Sequence, residues 1–382
     1  MAVAGGLVVY SVIAGIQKTS PPQALTATDN TTASDKITAT DTITAKENTT
    51  GREPGAALNI SNNSGKSEHA AIAVGGSDVY LVWQDDSLEQ NEILIAMSSD
   101  SGATFGKPVA IGKSQKGGFS VTPDIAVSGN NIYVVWSDHN SQKQSAVAFR
   151  HSNNGGHTFG NTSILGNYSG ENIDPHLAIF KGDIYVSWVR NSEQNSAGDL
   201  MLARSSDGVA FDAAIVGNNA TNPVLASSAE KLYIAWRHPM PGDTTKNGTN
   251  IIVSSSDGTN FERSEQLQNM TIDSIAASAR TIYVSATAND TLMFARSNDG
   301  NHFNITGIGN ASLSRLTLTG DNVYVVWDQG GRIFLAASTN GSDSLGKTTL
   351  LSSNGSWPTA AANKGVYVAW TENSDIMVTH KS

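Results

Sequence analysis

The chain has 382 residues, no cysteine and a formal charge of −10, and only 15% of its residues are charged. The missing cysteines exclude disulfides, thiolate nucleophiles and Cys-ligated metals, and the negative balance leaves no basic field for a nucleic acid. With 36 glycines and 39% hydrophobic residues, the composition suits many short strands joined by tight turns.

Residues 1–17 open the chain with an apolar or small run from Met1 to Ile16, closed by Gln17-Lys18. The run is shorter than the roughly 20 residues of a spanning helix, and it reads as a signal or membrane anchor segment, uncleaved in the preferred reading. Residues 18–53 are rich in Thr, Ala, Asp and Asn and nearly free of large apolar side chains. Such a stretch cannot bury enough surface to offset its ordering entropy, so a disordered stalk is expected. It carries the glycosylation sequons Asn30-Thr31-Thr32 and Asn48-Thr49-Thr50, and others follow at Asn161, Asn219, Asn304 and Asn354. Together these features predict an exported glycoprotein on the extracytoplasmic cell surface, touching the membrane through its N-terminal segment alone.

From residue 54 to 382 one pattern recurs. Tyr80-Leu81-Val82-Trp83 has counterparts at residues 133–136, 185–188, 233–236, 324–327 and 367–370, and at Tyr283 with Ala286 in place of the tryptophan. Units of about 40–50 residues built only from strands are the mark of a propeller. Each unit reads as four short β-branched or aromatic runs bounded by Gly, Asn and Asp, buried on both faces as stacked blades require. The last unit, ending at Ser382, is one strand short, and residues 54–60 resemble the fourth strand around Gly106 to Ile111. The expected fold is therefore all-β, a seven-bladed β-propeller with four-stranded blades whose last blade is closed by an N-terminal strand. It is expected to be monomeric.

The turn between third and fourth strands carries the most specific motif. Ser98-x-Asp100-x-Gly102-x-Thr104-Phe105 is complete, residues 152–159 repeat it with Asn154 for the aspartate, and shorter forms stand at 205–211, 255–261 and 297–303. In this turn the aspartate accepts backbone N–H bonds and the glycine takes positive φ. On these motifs residues 54–382 resemble the sialidase-like, Asp-box β-propeller superfamily, whose members include glycoside hydrolases and non-catalytic surface receptors. The resemblance implies that the Asp-box turns face away from the functional site, so Asp100, Asp207, Asp257 and Asp299 are not site candidates. A sialidase would need an arginine triad, a Tyr–Glu nucleophile pair and an aspartate acid/base. The first-blade Arg-Ile-Pro signature of that family is absent, and its sialidases have six blades.

The opposite, axial face is formed by the starts of first strands and the ends of second strands. Asp124, Asp174, His176 and Asp273 fall at the former, with Glu68-His69 in the first unit; Asp85, Asp138, Arg237, His238, Asp328 and Glu372 follow the strand-two tryptophan positions. Arg190, Arg237 and Arg315 are the arginines on that side, and Tyr168 with Glu171 is the one Tyr–Glu pair in a loop there. Carboxylates and arginines in a funnel suit sugar hydroxyls, and calcium is the one metal they suggest; no cofactor is expected. Three functions stay open: a tethered propeller binding surface glycans or proteins, a sialidase-like glycoside hydrolase, and a structural envelope component.

Overall fold

The computed structural model describes residues 24–25, 37–38, 56–88, 90–114, 116–167, 170–191, 197–239, 249–263, 267–279 and 281–382. Among them every regular element is a β-strand. The strands form five separate four-stranded antiparallel sheets and one nine-stranded sheet, together with a short two-stranded pairing. The first sheet runs Ser67–Gly75, Asp78–Asp85, Glu92–Ser98 and Val109–Gly112. The nine-stranded sheet arises because Phe211–Ser227 is continuous: its first half pairs with Gly198–Ser205 and its second half with Leu232–His238. One strand thus serves as the fourth of one unit and the first of the next. No linker separates the two roles, and the turn is made inside the strand by Asn219, at φ 48°.

The first strands of successive units pack against one another, and the last, Ser356–Ala362, returns to Ser67–Gly75. This is the β-propeller arrangement that the repeat predicts. The closing strand is also as expected: Leu58–Asn59 pairs with Asp375–Lys381, Leu58 opposite Val378 and Asn59 opposite Met377. Asp375 holds it, accepting from Asn59 Nδ2 at 2.7 Å and Ser61 Oγ at 2.9 Å. Of residues 1–55, two pairs are described: Ala24–Leu25 lies beside Phe211–Asp212 and Ile37–Thr38 beside Thr158–Phe159. The anchor reading of Met1 to Ile16 and most of the stalk lie outside the described residues, and no described helix is long and apolar enough to cross a membrane.

Alternation along each second strand explains the stacking. Val79, Leu81 and Trp83 pack with Tyr367 and Ala369 of the last unit, while Tyr80 and Val82 pack with Val134 and Trp136 of the second. All are buried, each side chain contributing on the order of 1.5–3 kcal/mol of transfer free energy. The repeated tyrosines do more than fill this core. Tyr367 donates its hydroxyl to Ser101 O in the first Asp-box at 3.2 Å, and Tyr185 lies against Gly258 in the fourth unit's box.

The boxes follow the expected chemistry in two forms. In the complete ones the side chain reaches four residues ahead: Asp100 accepts from Thr104 N at 2.8 Å, and Asn154 from Thr158 N at 3.0 Å. In the shorter ones Asp257 takes Thr259 N and Asn260 N, both at 2.8 Å, and Asp299 takes Asn301 N and His302 N likewise. The corresponding turn after Ile333–Ser338 has Asn340 at the aspartate position, and Ser338 Oγ donates to Ser342 O at 2.6 Å. These turns end the third strands, opposite the starts of the first strands.

Candidate functional site

Apart from Phe211–Ser227, which is paired on both sides, each first strand is the free edge of its sheet, and all are turned toward the axis. Such an edge would pair with any passing strand unless it were broken, and bulges and prolines are the usual means. Six first strands carry a bulge against their second strand, between Glu68 and Ala71, Val121 and Asp124, Ile173 and His176, Thr221 and Val224, Ile272 and Ser274, and Ser356 and Thr359. In five of them the bulged residue is not glycine yet has positive φ: His69 52°, Thr122 51°, Asp174 52°, Asn222 49° and Trp357 53°. Proline follows four of these, as Pro123, Pro175, Pro223 and Pro358. A β-branched threonine or a tryptophan in the left-handed region costs on the order of 1–3 kcal/mol, and such strain gathers at functional sites. The strand Leu313–Thr319 keeps its register without a bulge, and there Arg315 takes the axial place.

All five strained residues line one cavity of about 530 Å³ at the axis, and Asp124, His176, Asp273 and Arg315 share its wall. Its size lies within the range of small-ligand sites. Trp357 is 43% exposed while the other tryptophans are buried, and its ring lies 4.3 Å from that of His69 at a tilt of 43°. His69 Nδ1 is buried without a hydrogen-bond partner among the described residues. Burial pushes the His69 imidazole down, against the opposing pull of Glu68.

The carboxylates differ in what they hold. Asp124 accepts from Ile125 N at 2.9 Å and from Leu177 N on the next first strand at 2.8 Å, with His176 Nδ1 at 3.5 Å. Asp273 accepts from Thr287 Oγ1 at 2.7 Å and from Ser314 Oγ at 2.8 Å, again across a unit boundary. Both therefore stitch neighbouring units. Asp174 accepts a hydrogen bond from no described residue; burial pushes its carboxyl up, opposed by His176 and Arg315. Arg315 is half-buried, with Nη1 donating to Asp273 O at 3.1 Å and Ser314 O at 3.0 Å. That burial pushes its guanidinium down, while Asp273, Asp124 and Asp174 pull it back.

Of the residues singled out from sequence, His69, Asp124, Asp174, His176, Asp273 and Arg315 meet in this cavity, and the others that are described do not line it. Asp85 is buried under donors from Ser67, Asn63, Trp83 Nε1 and Ser87. Asp138 accepts from Ser114 Oγ at 2.6 Å and Ser120 Oγ at 2.8 Å. Glu372 takes the Trp370 indole N–H at 2.8 Å, as Asn172 takes that of Trp188 at 2.9 Å. These side chains lock strand ends. Arg190 pairs with Asp199 at 2.8 Å, His238 Nε2 lies 3.3 Å from Asn219 Nδ2, and Asp328 accepts from Gly331 N in its own turn at 3.0 Å. Arg237 stands opposite Thr221, beside the bulge but outside the lining. Tyr168 lies outside the described residues. Trp357, Thr122 and Asn222 were not singled out from sequence. The recurrence of X-Pro at one place in four units is the signal that marks them.

No family profile and no curated protein sequence matches the chain. Solved structures similar to it include the polysaccharide lyase Uly1, at 10% identity over 88% of this chain and 93% of that one, with a TM-score of 0.54. The β-propeller domain of the Trilobed protease from Pyrococcus furiosus matches at 9% identity, 83% of this chain and 95% of that one, and a TM-score of 0.54. The Hadza microbial sialidase Hz136 matches at 13% identity, 81% and 77% coverage, and a TM-score of 0.50. At such identities the likeness establishes the sialidase-like β-propeller fold.

Proposed function

We propose that this protein is an exported, membrane-tethered surface propeller that binds carbohydrate in its axial cavity. The observation that carries the reading is the ring of strained non-glycine bulges, which spends conformational energy to turn Trp357, Asp174, Asn222, Thr122 and His69 toward one space. An exposed indole face and a few polar groups around it are what a pyranose ring needs, with apolar C–H faces on the ring and hydroxyls at its edge. A glycan array probed with the purified protein tests this. Binding should be lost in Trp357→Ala, and an array with no signal would sink the proposal. Detergent extraction and membrane flotation of the native protein test the tether.

A second reading, glycoside hydrolysis in the same cavity, is favoured by Asp174. Partial burial pushes its carboxyl up, the direction a general acid requires. Sialidase chemistry has less support: of Arg190, Arg237 and Arg315 only Arg315 lines the cavity, and no tyrosine or glutamate is among its described lining. Fluorogenic glycosides, a sialoside included, separate the readings, because turnover abolished by Asp174→Ala would make the protein a hydrolase.

A further inference from the structure

The cavity's polar groups are unequally occupied. Asp124 has a backbone N–H on each oxygen, and Asp273 takes two hydroxyls on one oxygen. Among the three carboxylates of the wall, Asp174 alone accepts from no described residue, although it is half-buried and held in the left-handed region before Pro175. A half-buried carboxyl with no donor from the protein keeps its acceptor sites open to a ligand that supplies one. The charge count points to the sign of that donor. Three carboxylates face one guanidinium, Arg315, inside a chain whose formal charge is −10. An anionic sugar entering this space meets net repulsion, and a cation is drawn in. The exposed face of Trp357 adds attraction for a cation over the ring.

We propose that the axial cavity selects a carbohydrate residue bearing a free, protonated amino group, with Asp174 receiving the ammonium. Trp357 covers the sugar ring, and Arg315, whose Nη1 is already tied to two main-chain carbonyls, offers its remaining donors to ring hydroxyls. This rests on the reading of the cavity as a carbohydrate site and adds the class of sugar.

The test compares three oligosaccharides on the purified full-length protein by calorimetry: glucosamine oligomers, their N-acetylated counterparts, and galacturonate oligomers. The glucosamine series is expected to bind about tenfold tighter than the acetylated one, which has lost the charge, with the galacturonate series weakest. Raising the salt concentration should erode the preference. Asp174→Asn should abolish it while leaving residual sugar binding. That variant loses no hydrogen bond to a described residue, and asparagine tolerates positive φ, so folding is not at stake. Equal affinity for the first two series, or preference for galacturonate, would overturn the amino-sugar inference and leave the carbohydrate reading standing. No binding by any carbohydrate of a broad panel would overturn both.

Discussion

Asp85 is the residue whose replacement best separates a site role from a structural one. Its Oδ2 accepts from Ser67 Oγ at 2.6 Å, Asn63 Nδ2 at 2.9 Å and Trp83 Nε1 at 3.0 Å; its Oδ1 accepts from Ser87 N at 3.0 Å and from the Ser87 hydroxyl. The side chain is 1% exposed. Asp85→Ala would leave the Trp83 indole N–H and the Ser67 hydroxyl buried and unpaired, at about 1–3 kcal/mol each, so a loss of about 3–5 kcal/mol is expected. For a domain of this size that is a fall in Tm of about 6–10 °C. Asp85→Asn keeps one carbonyl oxygen but turns N–H groups toward donors, and it should lie between. The pH dependence has a definite sign. Burial works to raise the Asp85 pKa, yet the hydrogen bonds from Ser67, Ser87, Asn63 and Trp83 outweigh it and hold the carboxyl below its ordinary value. A depressed folded pKa gives stability that is present above the unfolded value of about 4 and is lost as pH falls through the folded one. The gap in Tm between wild type and Asp85→Ala should therefore narrow in acid. Scanning fluorimetry across pH, with glycan binding measured on the same samples, reads both effects. An unchanged Tm with lost binding would refute the reasoning and return Asp85 to the ligand site.

Asp375→Ala removes the acceptor for Asn59 and Ser61, so the closing strand should loosen by about 2 kcal/mol, with earlier proteolysis near Leu58 as the readout; an unchanged digestion pattern would count against the latch. Gly258→Ala should destabilise more than Gly208→Ala, since both have positive φ but only at Gly258 does a new Cβ run into the Tyr185 hydroxyl. The gap, on the order of 1–3 kcal/mol in urea unfolding, isolates that overlap, and equal losses would remove it. Among seven tryptophans Trp357 is the exposed one, so acrylamide should quench a single component of the emission that Trp357→Ala abolishes.

The architecture was legible because its signals are local. Val134-Val135-Trp136 can only be a strand buried on both faces, and a serine, an aspartate and a glycine at box spacing fix a turn wherever they stand. The site was half legible. Asp85 and Asp174 both sit at strand ends on the same side of the propeller, and composition gives them equal claims. The difference lies in the bulge, which inserts one residue and reverses the faces of those around it. Asp174 is turned to the axis by such an insertion, and Asp85, opposite Ser67 and on the partner strand, which carries no inserted residue, is turned into the sheet. A bulge leaves no trace in hydropathy. Trp357 would pass for a core residue by its apolarity alone.

The pairing of Leu58–Asn59 with Asp375–Lys381 also sets a clock for the nascent chain. One hydrogen bond of the contact joins residues 316 positions apart, so the earliest strand of the ring emerges from the ribosome without its neighbour and waits until the intervening sheets have been made. The intervening sheets are hairpins of local sequence and can form as they appear, but the ring stays open until its final seven-residue strand, Asp375–Lys381, is released. For that interval Leu58–Asn59 has no partner, and a polypeptide offering a matching edge could take the place meant for Asp375–Lys381. Closure is thus the final event in assembling the ring, and the step at which a chaperone has most to protect.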